Sequence, residues 1–198
     1  VMSLNNHEYN SIKINAVGDF ATLKPTTKSL GDNINYFNIS PDGNRLVVEA
    51  RGDVFTLPKE HGITKNLSRT SGVFERYPTW SPDGKFIAYF SDKTGEYELT
   101  TINLMTNEEK TITKMGPGFR YNIYWSPDSK KIAFVDQTMA VNIVEVITGK
   151  VTKIDQDVAL FEGGLSNFVA SWSHDSKWLT YPITLNNRNR AIFIYDTA

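Results

Sequence analysis

The sequence of 198 residues predicts an all-β fold made of about four copies of one small antiparallel sheet. The first observation behind this prediction is a turn tetrad of the type Ser-Pro-Asp-Gly, which recurs along the chain. The four tetrads begin at Ser40, Ser81, Ser126 and Ser173, so their spacings are 41, 45 and 47 residues. The second observation is that each tetrad separates two short segments with strand-like alternation. Repeats of this length made of short strands are typical of β-propeller blades. We therefore predict a propeller segment of about four blades of four antiparallel strands.

The residues of the tetrad are suited to a tight turn. Proline at the second position restricts φ, and aspartate at the third can accept hydrogen bonds from backbone amides two residues further on. The first two tetrads end in glycine, whereas the third reads Ser-Pro-Asp-Ser and the fourth Ser-His-Asp-Ser. Each tetrad is predicted to join the innermost strand of a blade to the second strand.

Large apolar residues form columns around each turn. The residues directly before the tetrads are Ile39, Trp80, Trp125 and Trp172. Those six and eight positions after each serine are Leu46 and Val48, Ile87 and Tyr89, Ile132 and Phe134, and Leu179 and Tyr181. Both faces of these strands are mostly apolar, as expected for a sheet packed between two neighbouring sheets. We therefore expect the three tryptophans to be mostly buried between adjacent blades.

The predicted blades cover about residues 34–68, 77–113, 121–154 and 168–198, and residues 1–33 are predicted to be an N-terminal strand or linker. In that first region, Ser11–Val17 alternates with a period of two and is predicted to be a strand. The innermost strands are predicted at Tyr36–Ser40, Pro78–Ser81, Asn122–Ser126 and Phe168–Ser173. The fourth blade has no segment for an outermost strand, so the predicted ring is incomplete or open.

Composition excludes several classes of function. The net charge is −1 and no basic run is present, so neither nucleic acid nor an anionic membrane is an expected partner. No apolar run is long enough to span a membrane, and the start of the chain lacks the pattern of a signal peptide. Cysteine is absent, which excludes disulfides and thiolate chemistry.

No cofactor or metal site is predicted. The three histidines, His7, His61 and His174, are widely spaced, so a shared metal ion is not expected. The segment Asp155-Gln-Asp157 lacks the remaining oxygen ligands of a calcium loop.

No catalytic residue is predicted either. The run Ser173-His174-Asp175 has the residue types of a catalytic triad, but adjacent residues of one turn cannot align as nucleophile, base and orienting acid. The segment Gly164-Leu-Ser-Asn-Phe168 lacks the final glycine and the strand-to-helix setting of a nucleophile elbow.

Arg69, Arg76 and Arg120 are the candidate binding residues, because each lies in a segment that leads into an innermost strand. Tyr77 and Tyr121 follow two of them directly. Guanidinium groups at a channel mouth could hold carboxylates through two hydrogen bonds, including the C-termini of peptides. The alternative is that these arginines pair with local acids such as Glu75 or are simply hydrated.

Three segments resemble the tricorn protease family, and the general repeat is also similar to the WD-like repeats of TolB. The segments run from Ile39 to Pro58, from Arg69 to Trp80 and from Ser91 to Leu99. Members of the tricorn family are large serine peptidases in which two propellers precede a PDZ domain and a catalytic core. The chain looks like part of the second propeller, and the resemblance transfers no catalytic residue to it.

The resemblance implies a non-catalytic module that binds or gates peptides for a distant active site. Its expected partners are peptides or other domains of the parent peptidase. The alternative is a TolB-like protein–protein interaction propeller with no peptidase attached. Tricorn-like relatives suggest a cytoplasmic location, whereas removal of a signal peptide would allow a periplasmic one. An open arc would also expose apolar columns, including Leu46 and Val48 or Leu179 and Tyr181. We expect either self-association through such faces or poor solubility of the isolated chain.

Overall fold

A computed structural model describes residues 13–15, 17–18, 29–158 and 165–197. Within these ranges, fifteen strands form four separate antiparallel sheets, three of four strands and one of three. The described helical structure consists of two single-turn 3-10 helices, Gly31–Asn33 and Leu165–Asn167. The predicted all-β propeller segment is therefore confirmed, including the short fourth blade.

Each sheet is one blade, and its strands follow one another in sequence order. Blade 1 contains β1 (Ile34–Ile39), β2 (Arg45–Ala50), β3 (Asp53–Pro58) and β4 (Lys65–Asn66). Blade 2 contains β5 (Glu75–Trp80), β6 (Phe86–Ser91), β7 (Glu98–Asn103) and β8 (Glu109–Thr111). Blade 3 contains β9 (Arg120–Trp125), β10 (Lys131–Asp136), β11 (Ala140–Glu145) and β12 (Val151–Gln156). Blade 4 contains β13 (Ser171–Trp172), β14 (Trp178–Thr184) and β15 (Arg190–Asp196).

The four turn tetrads share one hydrogen-bond pattern. In each, the serine hydroxyl donates to the aspartate carboxylate two residues later over 2.6 Å. The same serine oxygen accepts the backbone N–H of the fifth residue after it over 2.9 Å. The tetrad thus closes the hairpin between the first and second strands of every blade, as its residues predict.

The innermost strands of blades 2 and 3 begin earlier than predicted, at Glu75 and Arg120 rather than at Pro78 and Asn122. The reason is a β-bulge in each strand, which interrupts the pairing with the second strand before it resumes. The bulges contain Tyr77 and Asn122, whose φ angles are 55° and 57°. In the fourth blade, the predicted Phe168–Ser173 strand is reduced to two residues.

Three hydrophobic clusters join the blades in series. The cluster between blades 1 and 2 contains Val47, Val54, Trp80, Ile87, Tyr89 and Ile102. The cluster between blades 2 and 3 contains Tyr77, Ala88, Phe90, Leu99, Ile123, Trp125, Ile132, Phe134 and Val144. The cluster between blades 3 and 4 contains Ala133, Val135, Val141, Ile143, Phe168, Ala170, Leu179, Tyr181 and Ile183. Among the described residues these clusters leave the arc open, because none joins blade 4 to blade 1.

The tryptophan column is only partly as predicted. Trp80 and Trp125 are 9% and 8% exposed, and the Trp125 indole N–H donates to the Thr79 carbonyl of the preceding blade over 3.4 Å. Trp172 makes the equivalent bond to Tyr124 over 3.0 Å. It is nevertheless half-buried, which corrects the prediction for this residue. Trp172 packs only partly against the cluster between blades 3 and 4.

The prediction of which columns an open arc exposes is wrong. Leu179 and Tyr181 are 0% and 4% exposed because they face blade 3. The free face of blade 4 instead carries Ile192 and Ile194 of β15, which are 78% and 65% exposed. At the other end of the arc, Val48 is buried and Leu46 is half-buried.

The predicted strand Ser11–Val17 lies partly outside the described residues. Its described members, Lys13 to Asn15 and Val17, are exposed and have no regular secondary structure. Throughout the ranges that the structure describes, no helix is long and apolar enough to cross a membrane.

Candidate binding site on the innermost strands

Tyrosines on successive innermost strands contact one another across the blades. The rings of Tyr36 on β1 and Tyr77 on β5 meet edge to face, with centroids 5.3 Å apart. Tyr77 also lies 6.4 Å from Tyr121 on β9. The β-bulge beginning at Tyr77 directs this part of β5, because bulges bend a strand and re-aim its side chains. The result is a continuous aromatic surface along three innermost strands, in which Tyr77 is buried and Tyr36 and Tyr121 are half-buried.

Arg76 lies against this aromatic surface. Its guanidinium carbon is 5.2 Å from the centroid of the Tyr77 ring and 6.0 Å from that of the Phe119 ring. Both distances are within the range of cation–π attraction. The Phe119 ring in turn packs against Tyr97, with centroids 5.3 Å apart. We call the group formed by Tyr36, Arg76, Tyr77, Tyr97, Phe119 and Tyr121 the inner-rim site.

The Arg76 guanidinium has no counterion within the described part of the chain. Its side chain is half-buried, and its Nε atom is shielded from solvent without a hydrogen-bond partner. A buried cation ordinarily has a partner, since desolvating an unpaired charge is costly. Arg76 is therefore partly desolvated and free to bind an anion.

The acids near Arg76 are engaged elsewhere. The Glu49 carboxylate is 3% exposed and accepts a hydrogen bond from the Asn35 amide over 3.0 Å. Glu75, which directly precedes Arg76, accepts from the Thr70 hydroxyl over 2.8 Å. Burial raises the pKa of Glu75 above its usual value, and hydrogen bonds from Thr70 and Ser68 oppose this rise. The local acid considered as a partner for the arginines thus forms no ion pair with Arg76.

The hydroxyls of Tyr77 and Tyr97 in the inner-rim site stay neutral near pH 7. Burial raises the pKa of Tyr77, and the positive charge of Arg76 partly offsets this effect. Burial likewise raises the pKa of Tyr97, with a further increase from Asp92. Arg76 is the only cation among the six residues of this group.

Arg120 has different surroundings from Arg76. It is 6% exposed, and its guanidinium donates to the carbonyls of Gly116, over 2.9 Å, and of Gly118. These bonds hold the loop that leads into blade 3, although Nε has no partner. The geometry of Arg120 is that of a residue that stabilises its own loop.

Arg69 lies on the surface, outside the aromatic group. It is exposed, and its Nε atom donates to the Asn66 carbonyl over 3.1 Å. Its side chain borders a shallow cleft together with Lys65 and Asn107. The three predicted arginines therefore do not share one environment.

Ser173, His174 and Asp175 form a turn like the other three. The Ser173 hydroxyl donates to Asp175 and accepts from the Trp178 amide, so both interactions of this oxygen are structural. Within the described ranges, no group of three or more His, Asp or Glu side chains could hold a metal ion.

Sequence reasoning did not identify Tyr36, Tyr97 and Phe119 as part of the candidate site. When the repeats are aligned on their turn serines, Phe74 and Phe119 fall at the same position, seven residues before a tetrad. This repetition could have pointed to Phe119. Tyr97 has no comparable signal, since it comes from the turn that precedes β7.

Four small antiparallel sheets packed in series, face to face, define this protein as a β-propeller module. Its candidate binding site lies along the innermost strands of these sheets. The chain belongs to the family described as the tricorn protease second beta propeller domain, whose model matches residues 34–198. The resemblance predicted from the sequence is therefore confirmed.

Individual proteins agree with this assignment. The chain is 34% identical over 134 residues to dipeptidyl-peptidase 5 of Porphyromonas gingivalis, a match covering 64% of the chain and 20% of that protein. The match to the crystal structure of the tricorn protease covers 99% of this chain and 19% of the tricorn chain, with 15% identity and a TM-score of 0.72. The match to the crystal structure of TolB from Acinetobacter baumannii covers 83% of this chain and 41% of the TolB chain, with 22% identity and a TM-score of 0.64. The chain thus spans about a fifth of the length of the two peptidases, and the two structural likenesses concern the fold alone.

Proposed function

We propose that this chain is a non-catalytic propeller module of a tricorn-like serine peptidase, and that it binds peptides by their C-terminal carboxylates. Membership of a peptidase-related family supports the general role. The match to a dipeptidyl-peptidase supports it further, because the name of that protein describes an enzyme that acts on peptides.

The observation that carries the proposal is the guanidinium of Arg76, which has no ion-pair partner among the described residues. Its Nε atom is buried without a hydrogen-bond partner, and the rings of Tyr77 and Phe119 lie 5.2 and 6.0 Å from its guanidinium carbon. Such a group can bind a carboxylate through two parallel hydrogen bonds, and this binding is stronger where water is partly excluded. A free peptide C-terminus provides a carboxylate of this kind.

The non-catalytic part of the proposal rests on the geometry of the serine turn. The Ser173 hydroxyl donates to Asp175 and accepts from a backbone amide, and within the described ranges no histidine side chain forms a hydrogen bond with it. Hydrolysis of an unblocked peptide by this chain, abolished by Ser173→Ala, would contradict this role.

The binding test compares peptides that differ only in a free or an amidated C-terminus. We expect the free acids to bind more tightly and Arg76→Ala to remove at least about tenfold of their affinity, since hydrogen bonds to charged groups contribute ~1.5–3 kcal/mol. Arg69→Ala is the matched control, because Arg69 is exposed and lies outside the inner-rim site. Isothermal titration calorimetry measures both effects.

Equal affinity for the acid and the amide would overturn the carboxylate-binding role. Arg120→Ala is not a suitable control, because Arg120 holds the loop containing Gly116 and Gly118. We expect that variant to lower stability and to affect peptides only through that change.

A TolB-like interaction propeller is the second candidate function. It is favoured by the exposed apolar face of blade 4, where Ile192 and Ile194 could contact another protein. The sequence beyond Ala198 in the gene separates the two candidates, since PDZ and serine peptidase regions there would support the first.

A further inference from the structure

We propose that the inner-rim site selects peptides by their last side chain, and that it prefers an aromatic or a large aliphatic C-terminal residue. This inference rests on the proposed binding of the C-terminal carboxylate by Arg76. It adds a specificity surface, formed mainly by the ring of Phe119.

Phe119 is a large apolar side chain left partly in water beside the candidate anion site. It is 47% exposed, although one side of its ring packs against Tyr97. Its ring centroid lies 6.0 Å from the Arg76 guanidinium carbon. A carboxylate bound to Arg76 therefore places the side chain on the adjacent Cα atom within reach of this ring.

The position of Phe119 is held by its backbone. Its carbonyl accepts the N–H of Gln137 from the turn after β10, over 3.0 Å. Gly118 precedes it with a φ of 138°, a backbone conformation that residues with a side chain rarely adopt. The ring is thus presented from a fixed backbone, and binding need not first order a loop.

The equivalent residue of blade 2 has the same arrangement. Phe74 is 39% exposed, and its N–H and carbonyl bond to the side chain and the amide of Asp92 over 2.8 and 3.4 Å. Its ring packs on Gly52, where a Cβ atom would lie 2.9 Å away. Phe74 and Phe119 therefore occupy equivalent positions in blades 2 and 3. Arg76 follows Phe74 by two residues in sequence and contacts the ring of Phe119.

The chemistry of this surface favours apolar side chains. An aromatic or aliphatic residue would cover exposed ring area, and pairs of aromatic rings gain additional attraction from their geometry. An acidic last residue would bring a second carboxylate towards the aromatic surface, where Arg76 is the only cation of the group. We therefore expect affinity to fall in the order Phe, Leu, Ala, Asp at the C-terminus.

The test uses four peptides that are identical except for a C-terminal Phe, Leu, Ala or Asp, each as the free acid and as the amide. Fluorescence anisotropy of an N-terminally labelled peptide gives the dissociation constants. We expect the Phe acid to bind about tenfold more tightly than the Ala acid. In Phe119→Ala this ratio should approach one, while the preference for acid over amide remains.

Two further variants separate the ring from general effects. Phe119→Leu removes the ring but keeps an apolar side chain, so it should reduce the advantage of Phe over Leu. Phe193→Ala is the matched control, because Phe193 is 36% exposed on the outermost strand of blade 4. It should leave all the ratios unchanged, and thermal unfolding confirms that each variant is folded.

The outcomes separate the two proposals. If acids and amides bind equally, or if no peptide binds, the proposed function fails and this inference fails with it. If acids bind better but the last side chain has no effect, only the inference fails. A side-chain preference that Phe119→Ala and Phe119→Leu leave intact also overturns the role of Phe119.

Discussion

The serine that ends the third tetrad joins two neighbouring blades. The Asp83 amide of blade 2 donates to the Ser129 hydroxyl of blade 3 over 3.1 Å, and Asp128 makes the same bond to Ser176 of blade 4 over 3.0 Å. Ser129 has a φ of 60°, a conformation that glycine adopts more easily. The first two tetrads have glycine at this position, so a hydroxyl there is a feature of the later blades.

Substitution of Ser129 separates the hydrogen bond from the backbone strain. Ser129→Ala loses the inter-blade bond and keeps the strained φ, so we expect it to lower the free energy of unfolding by about 1 kcal/mol. Ser129→Gly loses the same bond but relieves ~1 kcal/mol of strain, so its stability should stay near that of the parent. Denaturant titration measures both. An alanine variant at least as stable as the glycine variant would contradict this account.

Glu75 gives an opposite pH dependence to the turn aspartates. Its side chain is 1% exposed, and burial raises the pKa of its carboxyl above the usual 4.5. The folded state therefore favours the protonated form, and stability is lost as the pH rises from the usual value through the raised one. Glu75→Gln stays neutral, so we expect its melting temperature to exceed that of the parent at pH 7, with the difference shrinking towards pH 4.

Asp83 is the control for this prediction. Burial alone would raise the pKa of Asp83, but hydrogen bonds from the Ser81 hydroxyl and the Lys85 amide lower it overall. Its contribution to stability is present above the usual pKa and is lost on acidification. Asp83→Asn should therefore destabilise at pH 7 and have less effect at low pH. If the difference in melting temperature between each variant and the parent does not change with pH, neither carboxyl behaves as described.

At the scale of elements, the bulges in β5 and β9 decide what the innermost strands present. Tyr77 and Asn122 have positive φ values at matching positions, so the two strands deviate in the same way. The bulge in β5 immediately follows Arg76, whose side chain contacts aromatic rings. A regular strand would continue strict alternation of its side chains, and the position of Arg76 beside Tyr77 depends on this interruption.

The tryptophan column connects each innermost strand to the preceding blade. Trp125 is buried and donates to Thr79, whereas Trp172 makes the equivalent bond but is half-buried. We expect Trp125→Ala to cost about 3–5 kcal/mol of unfolding free energy, as for other fully packed aromatic residues. Trp172→Ala should cost about half as much, because a smaller area is removed from water. Urea titration decides this, and equal losses at the two sites would show that burial does not explain the difference.

At the scale of the whole molecule, the arc formed by the described residues has two uncovered ends. The free face of blade 4 exposes Ile192 and Ile194, and at the other end Phe37 and Ile39 of β1 are 63% and 57% exposed. The equivalent faces at the internal junctions are covered by neighbouring blades. The two uncovered faces therefore resemble, in their apolar character, the faces that pack together between neighbouring blades.

We propose that copies of the isolated chain associate through these faces, blade 4 of one copy against blade 1 of the next. Contact of this head-to-tail kind can close into a ring of two copies or continue as larger assemblies. Light scattering should show a mass above that of the monomer, which rises with concentration. The double change Ile192→Lys and Ile194→Lys should shift the protein to monomers, whereas Met105→Lys, at an exposed loop residue, should not. A parent chain that is monomeric at high concentration would refute the proposal.

The sequence by itself determined the repeat, the turns and the number of blades. The physical reason is that each hairpin is specified locally, by a serine, an aspartate and alternating apolar residues within one repeat. Tertiary structure decided which face of a blade meets which neighbour, and therefore why Leu179 and Tyr181 are buried while Ile192 and Ile194 are not. It also decided the separate roles of Arg76 and Arg120, which look alike in sequence. Their contacts depend on bulges and on residues from adjacent blades, such as the pair of Arg76 and Phe119. Interactions between residues so far apart in the chain arise only once the blades have packed.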